Sequence, residues 1–537
     1  MIPVLILLFG AAAIFTAAFC FPQLGRETFQ MVEATLARAA GNRYVWLGII
    51  AGYLLFSFFL LIPLKLPQPA VADEFSYLLA ADTFAHGRLA NPAHPFWQHF
   101  ESLHILQQPA YISKYPPAQG MFLALGQLVW KPILGVWIST ALAGAAVFWM
   151  LAGVFRKSWA LLGAALVLTN PQVLFWNWRY WGGAVALTGG ALLLGGFWRN
   201  LKRPSVKNSL ASGLGMGILS LSRPFEGAVF SALIMGLCIY FVWKKTGLAA
   251  LAGRVLVPAV GVLLPFLAFQ LVYDSKTTGD PLKMPYVVYE QTYNPIPIFL
   301  WQKARPLPAY DNPEMEKSYV ADFKQWNMEH TFPGFFRVLG HKLALFKAYS
   351  WNLLFLVLLL PLPALWRRGG NVRMVLALIG VMALIYFGAT VWTLPHYTAP
   401  AMPLVVILAC AGLREMRTWR FKGRRFGLPA ARWLAVYICL SSVVVFVVRE
   451  IQHRNAWQFQ RQSLQARLEG DGQKHLVIVR YGPKHDPEVE WVYNRADIDG
   501  SPVVWARDMG GAENQKLADY FKGYQVAFVE PDKLKLH

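Results

Sequence analysis

Repeated apolar stretches of bilayer length decide what this chain can fold into, because a spanning segment must satisfy its own backbone inside hydrocarbon. The stretches fall near residues 2–20, 45–64, 132–153, 158–175, 183–198, 208–222, 225–243, 255–273, 351–366, 374–392, 395–413 and 433–449. With ~20 apolar residues needed per crossing, about twelve spans follow. The expected fold is a polytopic α-helical membrane protein with structured extracytoplasmic loops. Composition agrees: of 537 residues, 56% are hydrophobic and 15% aromatic, and the mean hydropathy is +0.38.

The chain carries 50 Lys and Arg against 29 Asp and Glu, a formal net charge of +21. In a soluble domain that balance would point to nucleic acid. Here the basic residues cluster in short loops between apolar runs, as orientation across a membrane requires, so nucleic acid is excluded as a partner. Arg26, Arg38 and Arg43 mark one inner loop. The alternation continues with Arg156 and Lys157, then Arg199 to Lys207, Lys244 to Arg254, Arg367 to Arg373, and a dense cluster from Arg414 to Arg432. Loops 65–131 and 274–350 and the tail from 450 then face outward. Residues 1–449 are expected to form a transmembrane domain and 450–537 an extracytoplasmic one. The expected location is the bacterial cytoplasmic membrane, multi-pass, with the outer loops and tail toward the periplasm or exterior. Cys20, Cys238, Cys410 and Cys439 all fall in apolar runs, where they pack as small hydrophobes; no disulfide or zinc motif is visible. Residues 2–20 lack a basic n-region and read as an uncleaved first span.

The tail reads as a small α/β domain. "KHLVIV", "SPVVWA" and "YQVAFVE" are strands, and "ENQKLADYFKG" is a helix closed by Gly523. No phosphate-binding Gly loop or nucleophile signature accompanies them, which favours a packing or partner role.

Asp73 and Glu74 stand where the chain leaves the membrane. Phe75, Leu78 and Leu79 follow at helical spacing and Gly87 ends the pattern, so an amphipathic helix along the membrane surface is expected. The structural explanation of Asp73 is an N-cap, and two adjacent carboxylates cannot share one helix face. The same loop ends in "SKYPPAQG" with Lys114. Small outer loops add Arg179 in "NWRYWGG", Arg223 and Glu226 in "SRPFEG", and His396 and Tyr397 in "TLPHYTAP". Singly, snorkelling to lipid headgroups or helix capping explains each of them. Together, a carboxylate pair and three cations at one depth fit a site that handles a phosphate leaving group. His86, His94, His99 and His104 share the first outer loop, but their spacing matches no metal signature. A divalent ion, Mg or Mn, held by Asp73 and Glu74 would neutralise a departing phosphate.

These residues resemble the GT-C superfamily of integral membrane glycosyltransferases, especially bacterial relatives of the protein O-mannosyltransferases and the lipid A aminoarabinose transferases. "ADEFSYLLAADTFAHGRLANP", "SKYPPAQGMFLALG" and the multispan layout carry the resemblance over roughly residues 45–420. It implies a sugar donor linked to a polyprenyl phosphate or diphosphate, bound at the outer face, and a lipid, glycan or protein acceptor. It implies Asp73 as the catalytic carboxylate, with Glu74 assisting or holding a metal, and Lys114 as donor-phosphate ligand, joined by Arg223 and Arg179. Glu226 and then Asp82 are the candidates for a second acidic group, and His396 and Tyr397 for substrate contacts. Asp73 would take a proton from the acceptor as it attacks the anomeric carbon, and a single displacement would invert that centre. The extra span at 2–20 and the tail depart from the family pattern. A transporter or flippase of lipid-linked intermediates is the competing class; it would show repeated halves and polar groups at mid-membrane, which this chain does not.

Overall fold

A computed structural model gives the arrangement of the chain and describes residues 2–350, 357, 359–391, 394–453, 456–533 and 535–536. Helices occupy the expected apolar stretches, except that residues 351–356 and 358 of the expected span 351–366 lie outside the described residues. By length and apolar composition, six described helices are able to cross a bilayer, or up to eight if each bent pair is one span. That is fewer than the twelve expected, for local reasons. The stretch 158–175 breaks into Lys157–Leu168 and Pro171–Asn177, bent by 62°, where Pro171 opens a new helix. The helix Arg26–Gly41 meets Val45–Phe59 at 115°. Val206–Ser222 has only 17 residues.

The helices Pro132–Ala152 and Pro395–Met416 form the centre, 78% and 72% buried along their apolar windows, whereas Leu248–Thr278 is 11% buried and faces outward. Small residues bring the inner helices together. A Cβ at Gly213 would lie 2.3 Å from the Ala259 carbonyl, and one at Gly215 would lie 2.6 Å from that of Gly189, so only glycine allows these backbones to approach so closely.

Over one end of this bundle sits a cap built from three parts. Loop 65–131 supplies the helix Ala72–Ala85 and three short antiparallel strands, with Ala110–Ser113 between Asn91–Pro92 and Ile105–Leu106. Loop 274–350 supplies the helices Pro285–Tyr293 and Pro313–Glu329. The tail supplies a four-stranded sheet in the order Val503–Arg507, His475–Val479, Gln525–Glu530, Lys535–Leu536, the first three mutually parallel. All five residues of His475–Val479 are buried, as a central parallel strand requires. One apolar core joins the three parts: Phe75, Leu79, Ile105 and Tyr111 pack with Tyr289 and Tyr319 and with Leu476, Tyr493, Val504 and Leu517. The helix Gly427–Gln452 also runs through the expected boundary at 449.

The helix Ala72–Ala85 therefore does not lie on lipid. Nine of its 14 residues are buried, among them Glu74, Phe75, Tyr77 and Leu79. It is enclosed between Pro117–Val129 and the tail, which explains why its apolar residues surround the axis instead of marking one stripe.

Candidate active site

The helix bearing Asp73 begins after Val71, which is extended at φ −139° and ψ 156°, and no side chain caps it. Asp73 is thus free of the capping role. Its Oδ1 lies 3.2 Å from Nδ1 of His104 and accepts a hydrogen bond from the Tyr115 hydroxyl. That hydroxyl is itself 3.1 Å from His104 Nδ1, and its ring stacks on Tyr77 at 4.6 Å. Asp73 Oδ2 makes no hydrogen bond among the described residues, and the side chain is 22% exposed. Burial pushes the Asp73 carboxyl up, but the charges of His104, Lys114 and His396 and the hydrogen bond to His104 together outweigh it and hold the group at about 2. Asp73 is an anion throughout the physiological range.

Glu74 turns the other way. It is fully buried; Oε2 accepts from the Ala70 amide at 2.8 Å and Oε1 from the Tyr180 amide at 2.8 Å. Burial raises its carboxyl against the opposing pull of Arg179 and those amides. Both oxygens are committed to backbone, so Glu74 clamps the entry of the helix to the 176–182 loop.

Lys114 follows the strand Ala110–Ser113 and is buried, its Nζ 3.0 Å from Glu290 Oε1. The ammonium also lies over the rings of Tyr289, Tyr286 and Tyr115, at 4.5, 5.3 and 5.4 Å from their centroids. Arg223 differs. It occupies the junction between Val206–Ser222 and Pro224–Thr246, with its guanidinium 4.7 Å from the Tyr397 centroid. Its buried Nε has no partner, and no hydrogen bond or ion pair to its guanidinium occurs among the described residues. The charges of Glu226 and Asp73 and the hydroxyls of Tyr77 and Tyr397 act on it. His396 is buried beside Trp181, with ring centroids 5.0 Å apart.

Asp73, Lys114, Arg223, Glu226, His396 and Tyr397 are thus gathered at one place. Asp82 and Arg179 are not. Asp82 accepts from Gln127 Nε2 at 2.7 Å and the Ala496 amide at 2.8 Å, tying the helix to its neighbours on the far side from Asp73. Arg179 forms a two-pronged ion pair with Glu450, both contacts 3.1 Å, and so braces the 176–182 loop against Gly427–Gln452. Glu74 turns to the amides of Ala70 and Tyr180, on a different side from Asp73, so the two carboxylates are not presented together. Among the described residues no group of three or more His, Cys, Asp or Glu is placed to hold a metal ion. The four loop histidines are dispersed: His86 against Asp82, His94 against Asp499, His99 on the Arg507 carbonyl, and His104 on Asp73.

Sequence reasoning missed His104 as the partner of Asp73, and it missed Tyr115, Glu290 and Glu488. Tyr115 adjoins Lys114, which was the one available hint. Glu488 comes from the tail, within electrostatic reach of His104, Asp73 and Lys114.

No family model matches the chain, and no curated protein matches it by sequence. Solved structures do. ArnT from Cupriavidus metallidurans in the apo state aligns with a TM-score of 0.50 and 13% identity, over 91% of this chain and 93% of that one. The same transferase bound to undecaprenyl phosphate aligns at 0.49 and 13% identity, over 92% and 94%. The Archaeoglobus fulgidus oligosaccharyltransferase in complex with Zn and sulfate aligns at 0.49 and 12% identity, over 83% of this chain and 61% of that one. The chain shares the fold of ArnT, a lipid A aminoarabinose transferase of the GT-C glycosyltransferases.

Proposed function

We propose that this protein transfers a sugar from a polyprenyl-phosphate-linked or diphosphate-linked donor to a lipid, glycan or protein acceptor, at the outer face of a bacterial cytoplasmic membrane. One observation carries the reading. Asp73, an anion with an uncommitted oxygen, stands within electrostatic reach of Arg223, a cation whose donors are unclaimed. A carboxylate for the attacking group and a guanidinium for the departing phosphate are what glycosyl transfer from a phosphate needs. Lys114 adds positive charge, partly offset by Glu290. Attack on the anomeric carbon opposite the phosphate inverts that centre. The fold shared with ArnT supports a lipid-linked donor, since that transferase binds undecaprenyl phosphate. Such a donor cannot leave the bilayer, so the site belongs at the mouth of the spans, where Asp73 lies. The transporter or flippase reading is not favoured.

The test is mass spectrometry of cell-envelope glycans and lipid-linked sugars in a strain lacking this chain. The reading expects one glycan species to disappear and its polyprenyl-linked sugar to accumulate, both reversed by the wild-type chain. Unchanged glycans and unchanged lipid-linked sugars would overturn it.

A further inference from the structure

We propose that His104 takes the acceptor's proton in the transfer described above, while Asp73 fixes the imidazole ring and stabilises the imidazolium; the inference rests on that reading of the site.

Three observations support it. The first is the geometry of the dyad. A carboxylate only accepts hydrogen bonds, so the Nδ1 that faces Asp73 Oδ1 at 3.2 Å carries the hydrogen. Tyr115 donates to the same Oδ1. The neutral ring then presents its lone pair at Nε2, and Nε2 makes no hydrogen bond among the described residues on a side chain 25% exposed. An imidazole oriented by a half-buried carboxylate, with its second nitrogen open, is the arrangement of a general base.

The second is the backbone. His104 has φ 65°, a left-handed conformation uncommon for a residue other than glycine. Its neighbours hold it there. The His104 amide donates to the Tyr289 hydroxyl at 2.8 Å, and its carbonyl accepts from Ser76 Oγ at 2.6 Å and from the Lys114 amide at 3.2 Å. Strain fixed in this way collects at working sites.

The third is the division of labour. Asp73 Oδ1 accepts from Tyr115 and faces His104 Nδ1, so the carboxylate is engaged in holding the ring, whereas His104 Nε2 is open to a substrate proton. The groups facing His104 are Asp73 from its helix, Lys114 and Tyr115 from the strand end, Tyr289 from Pro285–Tyr293, and Glu488 from the tail. In the step, the acceptor oxygen or nitrogen bonds to the anomeric carbon. The bond from that carbon to the phosphate oxygen breaks, with its electron pair leaving on the phosphate. The acceptor proton passes to His104 Nε2 and thence to water.

The experiment uses the full chain in proteoliposomes, with lipid-linked sugars extracted from the deletion strain. His104→Asn tolerates the left-handed backbone, and His104→Gly favours it and leaves a hole. The inference expects about 100-fold lower turnover in both, unchanged binding of undecaprenyl phosphate, and recovery of the Gly variant by added imidazole. It also expects the wild-type rate to fall on acidification and that acid limb to be lost in His104→Asn. Turnover of His104→Asn within about threefold of wild type, or a rate with no acid limb above about pH 4, would overturn it. If the wild type transfers nothing, the functional reading itself fails. The dyad is then read separately, by the pH at which diethyl pyrocarbonate modifies His104. Asp73→Asn should move that midpoint to lower pH, since the imidazolium loses its counter-charge, and an unmoved midpoint contradicts the dyad.

Discussion

The rings of Phe75 and Tyr493 lie parallel, 4.0 Å apart and 5° from coplanar orientation. One residue belongs to the helix that carries Asp73 and the other to the tail, 418 positions away along the chain, so the tail is part of the support of the site. Two more tail residues meet Phe75: the Arg461 guanidinium lies 5.2 Å from that ring and Trp457 stacks on it with centroids 6.2 Å apart.

Phe75→Ala should remove a buried ring and leave a cavity, at about 3–5 kcal/mol of stability. Thermal unfolding in detergent measures the loss. Transfer should fall with it, because the helix loses its anchor, while Phe75→Leu should keep most of both.

Lys114 and Arg223 should separate by their partners. Lys114→Met leaves Glu290 buried and unpaired, a loss of about 3–5 kcal/mol that Glu290→Gln in the double variant should largely restore. Arg223→Ala breaks no hydrogen bond or ion pair among the described residues, only the contact with the Tyr397 ring, so its melting temperature should fall less than that of Lys114→Met while undecaprenyl phosphate binds more weakly. Arg179→Ala should show the opposite pattern, with lower stability from the lost Glu450 bridge and unchanged lipid binding. Melting curves and lipid titrations of the same preparations check all three.

Glu74→Gln should destabilise by about 1–3 kcal/mol, since its amide group turns one of the two accepted hydrogen bonds into a donor facing a donor. Added Mg or Mn ions should not restore stability or transfer. Recovery by either ion would return Glu74 to a metal-binding role.

Acid should act on Asp73 in a defined window. Its folded value of about 2 lies below the ordinary 3.8, so it contributes about 2 kcal/mol of stability that is present above about pH 4 and lost as pH falls toward 2. Asp73→Asn should therefore show a shallower loss of melting temperature than wild type over that interval.

Much of this was legible in the sequence wherever local pattern governs. Apolar runs give helices, "KHLVIV" and "SPVVWA" give strands, and the polar residues between apolar runs include Asp73, Lys114, Arg223, Glu226, His396 and Tyr397, which lie within electrostatic reach of one another, whereas Arg179 and Asp82 from the same reading are tied elsewhere. Pairings across the chain were not legible. Glu74 is set by the Tyr180 amide, Arg179 by Glu450, Lys114 by Glu290 and Asp82 by the Ala496 amide. Each joins residues that no periodicity links, and two of the four partners are backbone atoms that carry no residue-type signal. His104 escaped for the same reason, because its role depends on a left-handed backbone held by Tyr289 and Ser76.

The most direct test is the turnover of Asp73→Asn with lipid-linked donor extracted from the deletion strain. Asparagine keeps the size of the side chain, and no helix cap is lost with it because Asp73 makes none. The variant should accumulate, stay folded in detergent and bind undecaprenyl phosphate like wild type. Its transfer should fall by about 100-fold to 10000-fold, the range for losing the charge that drives proton transfer. Turnover near wild type would contradict the assignment of this site as the place where sugar is transferred.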